Sequence, residues 1–184
     1  MIMILFDKDG RGSEELENIT GQWYASSPYR LIRTEIDFAI REVRGRVGDA
    51  VMEAASDAYQ SGSDDALLNT VRLPVAFLAI MRYAALSSVS HESTGRKVKM
   101  DDNEKMPFEW MVDRDDRAMR ERYYRALDAL YSYLEENKVE AWMTSAVRSG
   151  IRKSIVKSLR DFEAVYPIDG RYYVYYMLQN LVIE

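Results

Sequence analysis

The chain reads as mainly α-helical: a single helical bundle of about five to seven helices carrying a polar loop or β-hairpin insert. Three observations predict this. Apolar residues recur at spacings of three and four through most of the 184 residues, as in helices that bury one face. The stretch PVAFLAIMRYAALSSV, starting at Pro74, is apolar on nearly all faces, as a helix enclosed by others must be. The pattern has one long interruption, residues 90–116, SHESTGRKVKMDDNEKMPFEWMVDRDD, with helical periodicity on both sides of it. Residues 1–184 therefore read as one helical domain with a projecting insert at about 90–113.

Taken in order, residues 2–6 form either a short strand or an apolar arm, since so brief a run has no assignable period. Residues 7–18, DKDGRGSEELEN, resemble the start of a calcium-binding EF-hand loop, with Asp7, Asp9 and Gly12 at its first, third and sixth positions. Arg11 at a ligand position, Glu14 at an apolar one and Asn18 at the bidentate glutamate position break the match, which leaves an Asp/Gly turn. Ser27 and Pro28 open a helix whose stripe is Tyr29, Ile32, Ile36, Ala39, Val43 and Val47. Arg33, Asp37 and Arg41 form its solvated side. Gly45 and Gly48 mark a bend, and a second helix runs from Asp49 to about Gln60.

A third helical region spans about 64–89, and Pro74 either kinks it or starts a new helix. Its one charge after the proline, Arg82, either reaches out to solvent or pairs with a carboxylate. After the insert, Asp113 and Asp116 resemble a capping box and place a helix start there. The stripe Met119, Tyr123, Leu127, Leu130 and Leu134 carries that helix to about Lys138. A short helix near 139–147 leads through Gly150 into a last stripe, Ile151, Ile155, Leu159, Phe162 and Val165, stopped by Pro167. In the C-terminal RYYVYYMLQNLVIE, Tyr and Val favour strand while Leu178, Leu181 and Val182 suit a helix, the reading preferred here.

Composition narrows the function. Charged residues at 30% and hydrophobic ones at 47% are those of a globular protein, not of a disordered one. A net charge of -5 argues against broad electrostatic attachment to nucleic acid or to an anionic membrane. Without cysteine there is no disulfide, thiol nucleophile or thiolate metal site. The opening MIMILF is too short for a signal-peptide core and lacks a basic lead-in, so a soluble, unsecreted protein is expected.

The insert is the obvious place to seek chemistry, and its residues supply none. His91 is the only histidine, and HEST lacks the second histidine of a zinc-protease helix. Glycine-rich phosphate loops, a GxSxG serine elbow and Glu-x-x-His pairs for a di-metal bundle are all missing from the sequence. No catalytic, metal-ligating or cofactor-binding residue is predicted, and no cofactor. Arg96, Lys97 and Lys99 form the best basic cluster, cancelled at once by the acidic residues of DDNE. Such alternation suits a self-paired hairpin, with Val98 and Met100 opposite Met106 or Phe108, or a contact that sets register against a partner. Met106, Phe108, Trp110 and Met111 either anchor an interface or fold back onto the bundle. Tyr172 and Tyr175, from the C-terminal tyrosine run, read as core or subunit contact.

Six blocks carry a family resemblance: ENITG near Glu17, SPYRLIRTEIDFA from Ser27, RLPVAFLA from Arg72, SHESTGRKVK from Ser90, NEKMPFEWMVDRDD from Asn103 and FEAVYPIDGRYY from Phe162. Together they resemble an uncharacterised family encoded in bacterial prophages. The resemblance implies a virion component, and the size and helical pattern are similar to head-tail connector or head-completion (neck) proteins, which form a ring joining capsid and portal to tail. Its partners would then be further copies of itself in the ring, with portal and tail proteins, and no membrane. DNA would only pass through the lumen: about twelve copies would carry roughly -60, which discourages adhesion. Localisation would be cytoplasmic during assembly and then the virion. The alternative is a small helical binding or assembly-accessory module without catalytic activity. Heterologous ring contacts favour projecting inserts that reach the next subunit, and here those would be Arg96, Lys97, Lys99, Met106, Phe108 and Trp110, with Tyr172 and Tyr175.

Overall fold

The computed structural model describes residues 3–21, 23, 25–63, 65–87, 89–92, 95–98, 109–151 and 153, with the backbone alone at 89–92, 95–98, 109 and 111. The described chain is mainly helical. The first residues are an arm: Met3, Leu5 and Phe6 are buried, and the Ile4 amide donates to Ser56 Oγ at 3.2 Å. The arm then turns through Asp7 and Gly10, both at positive φ. Asp7 Oδ1 accepts the Gly12 amide at 2.9 Å, so the EF-hand-like aspartate serves to start a helix, α1 (Gly12–Thr20). Gly12 is held to its residue type by packing, because a Cβ there would lie 2.5 Å from the Tyr29 ring and 2.8 Å from Asp7 Cβ.

Ser27 and Pro28 do not open the next long helix. Pro28 precedes a 3-10 turn, Tyr29–Leu31, and α2 (Arg33–Val47) follows from Ile32. The difference is local, since Pro28 has an extended ψ of 124° and so stands just outside the helical region. Ile32, Ile36, Ala39, Val43 and Val47 are all buried as the spacing requires, while Arg33, Asp37 and Arg41 face solvent. Gly45 lies inside α2, and the bend falls at Gly48 alone, whose φ of 93° disfavours other residues. Beyond it runs α3 (Asp49–Ser61), with Val51, Met52, Ala55 and Tyr59 turned inward.

The central helix is α4 (Ala66–Ser87), which packs against α1, α2, α3 and α5 (Glu109–Glu136). Pro74 sits within it, so burial on nearly every side sustains a helix that local propensity would end. By length and composition α4 also matches a membrane-crossing helix. Here its apolar faces are met by four neighbouring helices. In α5 the predicted stripe, Met119, Tyr123, Leu127, Leu130 and Leu134, is buried throughout. The helix begins at Glu109, four residues before the Asp113 start expected from the capping-box pattern. Acidic residues stabilise any of the first turns, so they do not single out the first residue. α6 (Glu140–Met143) follows, then helical residues 146–151. One apolar cluster runs from Met3 to Trp142. The last predicted stripe beyond Ile151 and the C-terminal segment lie outside the described residues.

Between α4 and α5 the insert contains a hairpin of β1 (Val89–Glu92) and β2 (Gly95–Val98). Val98 pairs with Val89, Lys97 with Ser90, Arg96 with His91, and Gly95 with Glu92. The pairing closes between Glu92 and Gly95, and the expected pairing across DDNE with Met106 or Phe108 lies outside the described residues.

Two polar clusters tie the helices. In the first, the Arg72 guanidinium pairs with Glu15, lies 4.6 Å from the Phe6 ring centroid and 5.1 Å from that of Tyr59. Tyr59 donates to Glu15 Oε1 at 2.8 Å and accepts the Lys8 amide at 2.8 Å. Burial, aided by Glu15, pushes the Tyr59 hydroxyl up to about 12. Burial and then Glu42 push Tyr123 up to about 12, against the lowering effect of Arg46. Both hydroxyls hold their protons in the fold to higher pH than the ordinary value of 10.0 for an exposed tyrosine. The unfolded chain therefore releases protons first, and stability present below pH 10 is lost as pH rises toward about 12. Urea midpoints measured from pH 8 to 12 are expected to be flat to about pH 10 and then fall, less steeply in Tyr59→Phe; equal slopes for both proteins would refute this assignment.

Candidate functional site

The insert is carried on the ends of two packed helices, and a single carboxylate fixes them. Arg82 of α4 donates to Glu42 Oε2 at 2.6 Å, and Tyr123 of α5 reaches Glu42 Oε1 at 3.4 Å. Arg46 also donates to Glu42 Oε1, at 3.3 Å. The carboxylate reading of Arg82 is the one realised. Because Arg82 and Tyr123 share one partner on α2, the C-terminal part of α4 and the middle of α5 are held together below the insert.

Beyond that tie the two helices emerge from the body. Ala84, Ala85 and Leu86 are exposed at the end of α4. On α5, Trp110 and every residue from Val112 to Ala118 are exposed, and the first buried side chain is Met119. At 100° per residue these positions cover the full circumference of a helix. From Val112 to Ala118, about 10 Å of helix, α5 is thus open to solvent on every side. Among the exposed apolar groups are Trp110 at 58% and Val112 at 43%, with Leu86 at 55% at the end of α4. Val112 continues the stripe of Met119 seven residues on, a buried seam that runs out of its own cover.

Of the predicted contact residues, Trp110 stands at this start of α5, exposed, with the Arg114 guanidinium 5.4 Å from its ring centroid. Its fold-back onto the bundle is therefore not realised. Arg96 and Lys97 lie on β2, opposite His91 and Ser90. Lys99, Met106, Phe108, Tyr172 and Tyr175 lie outside the described residues. The structure adds Arg114, which sequence reading missed although Trp and Arg four residues apart on a helix are a recognisable pair. Among the described residues no three His, Asp or Glu side chains converge on a common point. No protein-family model, curated protein or solved structure matches the chain.

Proposed function

We propose that the protein is a non-enzymatic phage structural protein, a head-tail connector (adaptor) subunit that joins portal or capsid to tail through ring assembly. The observation that carries this reading is the exposed start of α5, where Trp110 and residues 112–118 stand in solvent. A protein that worked alone would gain nothing from leaving Leu86, Trp110 and Val112 in water. Aromatic residues at the centre of a contact supply much of its affinity, so Trp110 is the anchor and the charges around it set register. The resemblance of the six sequence blocks to a prophage-encoded family supplies the setting. The ion pairs between helices support the non-enzymatic part of the reading: Arg72 and Arg82 are each held by a carboxylate as ties between helices.

Trp110→Ala, and separately the replacement of residues 96–106 by a short Gly/Ser link, are expected to leave helicity and unfolding midpoint nearly unchanged and to impair assembly. Circular dichroism and a complementation assay for tailed, infectious particles read the two effects. Unfolding of either variant, or normal particle yield from both, would contradict the role given to the start of α5.

A further inference from the structure

We propose that the N-terminal arm, residues 3–8, is exchangeable: the seat it fills on the bundle also takes the arm of a second copy of this chain, with the turn around Gly10 as the hinge. This does not rest on the connector reading, since it follows from the arm and its seat alone.

The structure shows what the seat accepts, because one such arm lies in it. Met3, Leu5 and Phe6 are buried against the bundle. The polar ties of the arm cross to residues 51 or 52 positions away: the Ile4 amide donates to Ser56 Oγ, the Lys8 amide to the Tyr59 hydroxyl, and Lys8 Nζ to the Gln60 carbonyl. The Phe6 ring lies against the Arg72 guanidinium. These partners belong to α3 and α4, so an arm arriving from another chain meets them equally well. Asp7 Oδ1 accepts the Gly12 amide from across the turn, and that tie too is indifferent to which chain the aspartate comes from.

Residues 8–11 are all exposed, so the chain opens there without disturbing the core. Gly10 holds a φ of 72°, the left-handed conformation that folds the arm back onto its own bundle. A Cβ at Gly10 would meet nothing within 4 Å, so this position is constrained by its backbone and not by packing. An arm loose in water would expose Met3, Leu5 and Phe6, and that lost burial keeps it in one seat or another. Home and exchanged seating share their contacts and differ in the turn and in the entropy of joining two chains. The turn therefore sets the balance: glycine favours home seating at low concentration, and exchange grows as the protein is concentrated.

The full chain is concentrated to several hundred micromolar, warmed to just below its unfolding midpoint so that arms leave their seats, then cooled and diluted. Size-exclusion chromatography with light scattering is expected to show a species of twice 21.3 kDa that outlasts the dilution. Gly10→Val penalises the closed turn in both chains and is expected to raise the dimerisation constant at least about tenfold, with circular dichroism unchanged. Adding Phe6→Ala to Gly10→Val weakens home and exchanged seating alike. It is expected to leave the dimerisation constant unchanged while the dimer returns to monomer at least about tenfold faster. The proposal is overturned if the wild type and Gly10→Val both stay monomeric, if they dimerise equally, or if Phe6→Ala does not change the rate of return. A ring that forms to the same extent with Gly10→Val as without it would also overturn it, while leaving the connector reading intact.

Discussion

Glu15→Ala is expected to destabilise the protein by about 3 kcal/mol, near the lower end for breaking a buried ion pair because Glu15 retains some exposure. The loss comes from what the carboxylate leaves behind. Arg72 has a side chain only 11% exposed, and its Nε already lacks a hydrogen-bond partner among the described residues. Without Glu15 the guanidinium keeps only the faces of Phe6 and Tyr59, worth about 1–2 kcal/mol when desolvated. Tyr59 loses its acceptor at the same time, and with it the N-terminal arm is loosened from α3. The pair Glu15→Gln with Arg72→Met removes both charges, keeps an acceptor for Tyr59, and lets a thioether pack on the two rings. It is expected to recover most of the stability. Urea unfolding of the four proteins checks this; a double variant as weak as Glu15→Ala would show that packing, not the unpaired charge, carries the effect.

Trp142→Ala is expected to cost about 4 kcal/mol, within the range for deleting a buried indole. Trp142 is 3% exposed, lies 5.7 Å from Tyr131, and donates to Glu135 Oε1 at 2.8 Å. The same carboxylate takes a two-pronged contact from Arg148, at 2.7 and 2.8 Å. One side chain therefore joins α6 and the following helical residues to the end of α5. Thermal unfolding is expected to fall by roughly 8–16 °C, given about 2–4 °C per kcal/mol for a chain of this size. Trp142→Phe keeps the ring and loses the donor, and is expected to cost about 1 kcal/mol. The contrast with Trp110 is direct: the same truncation at the exposed start of α5 removes little buried area and should shift the midpoint by less than about 2 °C.

These two tryptophans also mark what was legible in the sequence. Helical periodicity alone placed the buried stripes of α2 and α5, and the all-round apolar run after Pro74 identified the central helix, because burial leaves its period in the residues. The same signal runs past Pro74, where tertiary packing prevailed over a local rule. Boundaries were harder. The Ser27–Pro28 pair and the Asp113–Asp116 pair both looked like helix starts, and neither is one, since several nearby residues satisfy the same capping chemistry. The pairing of β1 with β2 was not among those expected, since alternating charge suggests that strands pair and does not fix which ones without a buried face to enforce it. Arg72 and Glu15 are 57 positions apart, and no local pattern announces that they meet. No local pattern told whether Trp110 would fold back onto the bundle; it stands 58% exposed, ahead of Met119 on α5.

The central claim is that the protein is a built-in part of a phage particle, with the start of α5 in contact. Cryo-electron microscopy of phage particles induced from the cells that encode it, with mass spectrometry of the purified virions, tests this most directly. The account predicts the protein in stoichiometric amount as a ring at the head-tail junction, with Trp110 covered by a neighbouring chain. Its absence from virions, or a ring in which Trp110 faces solvent, would contradict it.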